Sequence, residues 1–200
     1  MNHYIYYSLL GIIQGLTEFL PVSSSAHLII AQNIFGIKEP QIFFDIILHC
    51  GTLLAVISYF HNDILNIIKS SFSPSSNNFR LILLLIAATI PTFILGFFLK
   101  NYFELLFKSP IFPSFFLIIT GLILFLTKFK IKSYKNIKDF SFIDAIIIGV
   151  AQAIAITPGI SRSGITISTG IFRNIDKKLC AKFSFLLSIP AIIGAFIAEI

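Results

Sequence analysis

The stretch Q14-G-L-T-E-F-L-P-V-S-S-S-A-H27 gathers an acid, three consecutive serines and a histidine around a proline. It lies in a chain of 200 residues that is 56% hydrophobic and only 12% charged, with a mean hydropathy of +0.91. Soluble domains carry about 25% charged residues. Apolar stretches of about 20 residues recur along the chain, enough to cross a ~30 Å hydrocarbon core as helices. The composition therefore predicts an all-α polytopic membrane protein. In such a protein a polar cluster is costly unless it serves chemistry, and a second cluster, T157-P-G-I-S-R-S-G-I-T166, repeats the pattern.

Around these clusters the segments 42–60, 81–99 and 111–127 read as spans, and 183–200 as a fourth. Segments 61–80, 100–110 and 128–139 read as polar connectors. Regions 4–35 and 142–172 are apolar but broken at Pro21 and Pro158, with hydroxyls at each break and short arms on either side. Irregular backbone at membrane depth persists only where protein or a watery cavity satisfies its polar groups. Two re-entrant helical hairpins follow, with ordinary spans joined by a polar turn as the alternative.

The two regions also resemble each other. A shift of 138 residues sets Gly11 on Gly149 and Gln14 on Gln152; one deletion then sets Pro21 on Pro158 and Ser24 on Ser161. The expected organisation is one membrane domain over 1–200. A first repeat fills 1–127 and an incomplete second repeat 142–200. A hairpin plus three spans makes an odd count, so the second repeat is inverted, an architecture that sets binding sites between the halves. Charge agrees: loops 61–80, 128–141 and 173–182 hold eleven bases, whereas the other side holds only Lys38, Lys100 and Lys108. The positive-inside rule puts the eleven-base side in the cytoplasm. Membrane orientation, rather than nucleic-acid binding, thus accounts for the net charge of +6. On this pattern the last two spans of the second repeat are missing, and no removable signal peptide is expected at the N-terminus. Cys50 and Cys180, both in apolar surroundings, read as buried filler.

Charged groups at membrane depth usually face a partner, a cavity or a substrate. Glu18 and His27 are such groups, and Ser24, three residues before His27, suits nucleophilic attack assisted by a base. Helix capping is the plainer use of Ser23, Ser24 and Ser25. In the second cluster, Gly159 permits close backbone approach, Ser161 and Ser163 supply hydroxyls, and Arg162 supplies a fork matched to phosphate. A helix N-terminus following them favours anions. A structural ion pair of Arg162 with Glu18 is the alternative reading, compatible with the first. Asp45 and His49, four apart on one helical face, either line the same cavity or satisfy each other.

With both motifs in view, Q-G-L-T-E-F-L-P-V-S-S-S-A-H and P-G-I-S-R-S-G resemble the two signatures of the bacitracin-resistance family of undecaprenyl-diphosphate phosphatases, from Gly11 to about Ala195. The resemblance implies a multi-pass enzyme of the bacterial cytoplasmic (inner) membrane, with inverted repeats and a site open to the outer face. Its activity would remove one phosphate from undecaprenyl diphosphate and so recycle the cell-wall lipid carrier. By position, Glu18 matches the essential acid, Ser24 the proposed nucleophile, His27 the proposed acid/base and Arg162 the phosphate-binding arginine. Ser161 and Ser163 match the flanking hydroxyls, and Gln14 a Glu/Gln partner of Glu18. The resemblance also implies a divalent cation, Mg2+ or Ca2+, near Glu18 and Gln14. A homodimer is the one protein partner considered. Serine or a His27-activated water remain alternative nucleophiles. A transporter or flippase for a phosphorylated polyprenyl lipid, or an inactive shortened relative, are the competing functions.

Overall fold

A computed structural model describes residues 3–36, 41–70, 73, 75–107, 109–130 and 134–199. Lys38, Lys108 and Lys132 of the charge count lie outside the described residues. The described chain is helical: α1 (His3–Thr17), α2 (Ser24–Ile34), α3 (Ile42–Tyr59), α4 (His61–Ser70), α5 (Asn77–Phe107), α6 (Ile111–Thr127), α7 (Phe142–Ile154), α8 (Arg162–Phe172) and α9 (Lys177–Glu199). Within α5 and α9 the segments Asn77–Leu99 and Lys177–Ala198 are long and apolar enough to cross a membrane; α3 with α4 makes a third if that pair, bent by 70°, is one span.

Polarity is distributed for a lipid solvent. Phe97, Phe98, Ile118, Leu122 and Ile143 are exposed, while Gln14, Glu18, Ser24, Gln152 and Thr166 are buried. Hydrocarbon accepts the exposed apolar side chains, and the polar ones find their partners inside.

Both broken regions form pairs of short helices. Helices α1 and α2 have 15 and 11 residues and pack together, as do α7 and α8 with 13 and 11. At 1.5 Å per residue the longest arm is about 22 Å, short of a ~30 Å core. Segment 61–80, read as a polar connector, instead contains α4. Its Ile64 and Ile67 pack on the main core, and Asp63 holds Lys182 on α9 at 2.5 Å. Helix α5 continues into the expected loop 100–110 as far as Phe107, with no glycine or proline to interrupt it after Gly96.

The main core lies between α5, α7 and α9 and includes Leu84, Ala88, Ile148, Phe183 and Leu187. Helices α5 and α7 cross closely: a Cβ on Gly149 would fall 2.1 Å from the Ala88 carbonyl oxygen. Small residues at such a crossing let helix backbones approach. At one end the basic loops are tied together. Arg80 donates from Nε to the Ile137 carbonyl and from a terminal nitrogen to the Phe140 carbonyl, both at 2.9 Å. Lys135 (2.8 Å) and Arg173 (2.6 Å) both bind Asp144, which is fully buried and also caps α7 with Ser141. The backbone of Lys135 and Asp176 exchanges further bonds across loops 128–141 and 173–176. Three segments far apart in sequence, each expected on the basic side, therefore share one end of the bundle.

Candidate active site

Both helix-pair tips meet in the interior. The turn after α1 carries Glu18, and α2 starts at Ser24; across from them α8 starts at Arg162. Arg162 forms an ion pair through a terminal nitrogen with Glu18 Oε1. Ser24 Oγ donates to Glu18 Oε2 at 2.6 Å, and Gln14 Nε2 donates to the same oxygen at 2.9 Å. His49 on α3 brings Nδ1 to 3.2 Å from Oε2 and 2.6 Å from Gln14 Nε2. One buried carboxylate thus gathers a hydroxyl, an amide, an imidazole and a guanidinium. Isolated at that depth it would be expensive; hydrogen bonds from Ser24 and Gln14 and the Arg162 ion pair offset that cost.

Backbone geometry sets these groups in place. Ser23 sits at the N-cap of α2 with φ 61° but makes no side-chain cap bond, and its hydroxyl instead faces Ser25 Oγ at 3.2 Å. Capping therefore does not account for the three serines. A non-glycine residue in the left-handed region stores strain that the surroundings must hold, a pattern concentrated at functional sites. Ser161 does cap its helix: its Oγ accepts from Gly164 N at 3.1 Å. Thr120 on α6 clamps the second tip, its hydroxyl accepting from Ser161 N (3.1 Å) and donating to the Gly159 carbonyl (3.2 Å). Gly159 has φ 99°, and a Cβ there would meet the Pro113 carbonyl oxygen at 2.3 Å. Only glycine fits. Ser163 Oγ reaches the Leu20 carbonyl at 3.4 Å and Gly159 N reaches Ser25 Oγ at 3.5 Å, stitching tip to tip.

A cavity of about 540 Å³ opens beside this junction. Glu18, Ser24, His49, Ser161, Arg162 and Ser163 form its polar wall, whereas Phe93, Phe97, Ile156, Ile192 and Ile197 form an apolar one. An anionic head beside Arg162 and a hydrocarbon tail along the apolar wall suit that division.

Expected site residues are brought together with one exception. Glu18, Ser24, Arg162, Ser161, Ser163, Gly159 and Gln14 lie at one junction, but His27 is hydrogen-bonded to the Ser23 carbonyl rather than to Ser24. Its Nδ1 lies 2.8 Å from the Ser23 carbonyl, where it can only donate. Asp45 and His49 take the cavity-lining alternative: Asp45 accepts from Gln32 Nε2 at 2.7 Å while His49 joins Gln14 and Glu18. Sequence reasoning missed Thr120 and Gln152. Thr120 is a buried hydroxyl in a helix of Phe, Leu and Ile, and Gln152 donates to Thr92 Oγ1 at 3.1 Å. A polar residue in the middle of an apolar helix was the available signal.

The donor set does not build a cation cage. Glu18 supplies one carboxylate, both of whose oxygens already face donors, and Gln14 turns its amide nitrogen toward it. Among the described residues no three His, Cys, Asp or Glu side chains converge on a point. Mg2+ and Ca2+ take six or more oxygen ligands.

Fold and junction define a helical membrane protein that sets a serine, a carboxylate and an arginine side by side on the wall of one pocket. The chain belongs to the bacitracin resistance protein BacA family, whose pattern matches residues 7–200. It is 49% identical over 192 residues to an undecaprenyl-diphosphatase of Carboxydothermus hydrogenoformans, covering 96% of this chain and 71% of that protein. An undecaprenyl-diphosphatase of Desulforapulum autotrophicum is 42% identical over 206 residues, covering 96% and 75%. Undecaprenyl-diphosphatase 4 of Bacillus thuringiensis strain Al Hakam is 44% identical over 191 residues, covering 96% and 71%.

Proposed function

We propose that this chain is an undecaprenyl-diphosphate phosphatase, which hydrolyses the lipid diphosphate to the monophosphate and phosphate. It thereby returns the carrier lipid to cell-wall synthesis and lowers sensitivity to bacitracin. Relatives bearing that enzyme name support the reaction. The observation that carries the site assignment is the continuous run from Ser24 Oγ through the Glu18 carboxylate to Arg162, on the wall of one cavity.

Arg162 holds the distal phosphate. Its guanidinium has five N–H donors, so contact with Glu18 leaves others for phosphate oxygens. Ser161 and Ser163 lie beside it as further hydroxyl donors. Ser24 Oγ attacks the distal phosphorus as its proton passes to Glu18, 2.6 Å away. The bond from that phosphorus to the bridging oxygen breaks, and its electron pair leaves with the lipid monophosphate. Glu18 gives the serine's proton to the departing lipid monophosphate. Water then attacks the phosphoserine phosphorus as its own proton passes to Glu18. The bond from phosphorus to Ser24 Oγ breaks, and Glu18 returns the proton to Oγ as inorganic phosphate leaves. Stabilising charge on the transferring phosphoryl group is the main demand of such reactions, and Arg162 meets it. This geometry favours Glu18 over His27 as the base and Ser24 over water as the first nucleophile; His27 braces the serine turn through the Ser23 carbonyl. A divalent cation is retained only as a companion of the incoming diphosphate, with no step assigned to it.

In the membrane, α1–α2 and α7–α8 are re-entrant hairpins of two inverted repeats, and the cavity opens to the outer face. Short arms, tips that meet, and basic loops gathered at one end support that arrangement. The test is phosphate release from a polyprenyl diphosphate in detergent by wild type, Ser24→Ala and Arg162→Ala. Release by wild type that falls at least a hundredfold in both variants is expected. Equal release by all three would refute the site.

A further inference from the structure

We infer that His49 is a further donor to the substrate's diphosphate, oriented for that task by Gln14; this deepens the phosphatase reading and rests on it. The inference starts from the Gln14 amide. Its Nε2 stands 2.9 Å from Glu18 Oε2 and 2.6 Å from His49 Nδ1. The opposite amide orientation would set two acceptor oxygens against each other at the Glu18 contact, so the carboxylate fixes the nitrogen there. With two hydrogens, that nitrogen serves Glu18 with one and His49 with the other. An N–H on His49 Nδ1 would point at an N–H of Gln14 at the shorter of its two contacts. At that contact Nδ1 accepts, with the Gln14 amide set between it and Glu18 Oε2 at 3.2 Å, and the ring's N–H is on Nε2.

That assignment changes what His49 offers. Its side chain lines the cavity and is 24% exposed, whereas Gln14, behind it, is 1% exposed and does not line the cavity. Among the described residues the ring's contacts run through Nδ1. Nε2–H is then a donor available to a ligand in the cavity that Arg162 also lines. The nearest carboxylate on the same helix, Asp45, is engaged by Gln32, and Glu18 is engaged by Arg162, Ser24 and Gln14. A diphosphate presents several acceptor oxygens on two phosphorus atoms. Arg162 on α8 and His49 on α3 would hold it from two different helices.

Binding of inorganic pyrophosphate to the detergent-solubilised full chain tests this without turnover. Equilibrium dialysis with labelled pyrophosphate is run on wild type, His49→Leu and His49→Gln, each checked for an unchanged gel-filtration profile. Loss of one hydrogen bond to a charged group predicts about tenfold or weaker binding in His49→Leu. His49→Gln keeps an N–H near the same place and should stay within about threefold of wild type by the same reasoning. If His49→Leu fails to fold, His49→Phe, a planar ring without N–H, replaces it with the same expectation. In lipid hydrolysis the same loss should raise KM more than it lowers kcat. Pyrophosphate binding that is absent in wild type, or equal in wild type and His49→Leu, overturns the inference. Binding that depends on His49 in a protein that releases no phosphate from the lipid upholds it and removes the hydrolase reading instead.

Discussion

Gly159→Ala tests how tightly the second hairpin tip is held. A Cβ at this position would stand 2.3 Å from the Pro113 carbonyl oxygen, 2.7 Å from the Pro113 Cα and 2.8 Å from the Phe116 Cβ. Ordinary contact begins near 3.4 Å, so the tip or α6 must yield by about 1 Å. Two of those obstacles are backbone atoms, which cannot rotate away, and the φ of 99° adds strain for any residue with a Cβ. A displaced tip carries the Gly159 carbonyl, to which Thr120 donates, and Ser161 N, two residues on, shares that hydroxyl. Arg162 follows directly. A displacement of about 1 Å at a reacting centre costs roughly a hundredfold in rate. Phosphate release by Gly159→Ala should therefore fall about a hundredfold in kcat/KM, with a thermal midpoint several degrees lower. Gly121→Ala, beside Thr120 on the same helix, is the control: nothing lies within 4 Å of its Cβ, and activity should not change. A Gly159→Ala enzyme with activity within threefold of wild type would refute the rigid-tip reasoning.

Other substitutions separate the remaining roles. Arg162→Lys keeps the charge but loses the fork, so kcat/KM in phosphate release should stay at least tenfold below wild type. Thr120→Val leaves the Ser161 N–H without its acceptor and should cost about 1–3 kcal/mol by denaturant or thermal unfolding, with a smaller loss of activity. Asp144→Ala strands Lys135 and Arg173 at the basic end. Because both cations reach solvent, the expected loss is nearer 1–2 kcal/mol than the ~3–5 kcal/mol of a fully buried pair, read as a lowered melting midpoint with kcat unchanged.

Much of this site is legible in the chain because lipid makes polar residues expensive. Glu18, Ser24 and Arg162 stand out for that reason, and Pro21 and Pro158 mark where the helices break. Spacing alone does not decide which partner His27 takes. Ser24 and His27 are three apart near the start of α2, yet Ser24 Oγ is drawn to a carboxylate six residues back and His27 to a carbonyl four residues back. Only the path of the turn brings those two acceptors into reach. Helix α4 is hidden for a different reason: its residues are too polar to read as a span, and its apolar stripe acquires meaning only from the core it meets. Likewise, nothing in the order of residues says that His49 faces Gln14 rather than Asp45, because that contact joins α3 to α1. Thr120 escapes notice as a small hydroxyl in an apolar helix, although it holds the tip that carries Arg162.

The most direct measurement of the central claim is a rapid quench of the enzyme with polyprenyl diphosphate labelled in its distal phosphate, followed by mapping of the label on the protein. Transient phosphorylation of Ser24, absent in Ser24→Ala and slowed in Glu18→Gln, is the expected result. Release of labelled phosphate with no label on Ser24 at any time would contradict the assignment of Ser24 as nucleophile and Glu18 as its base.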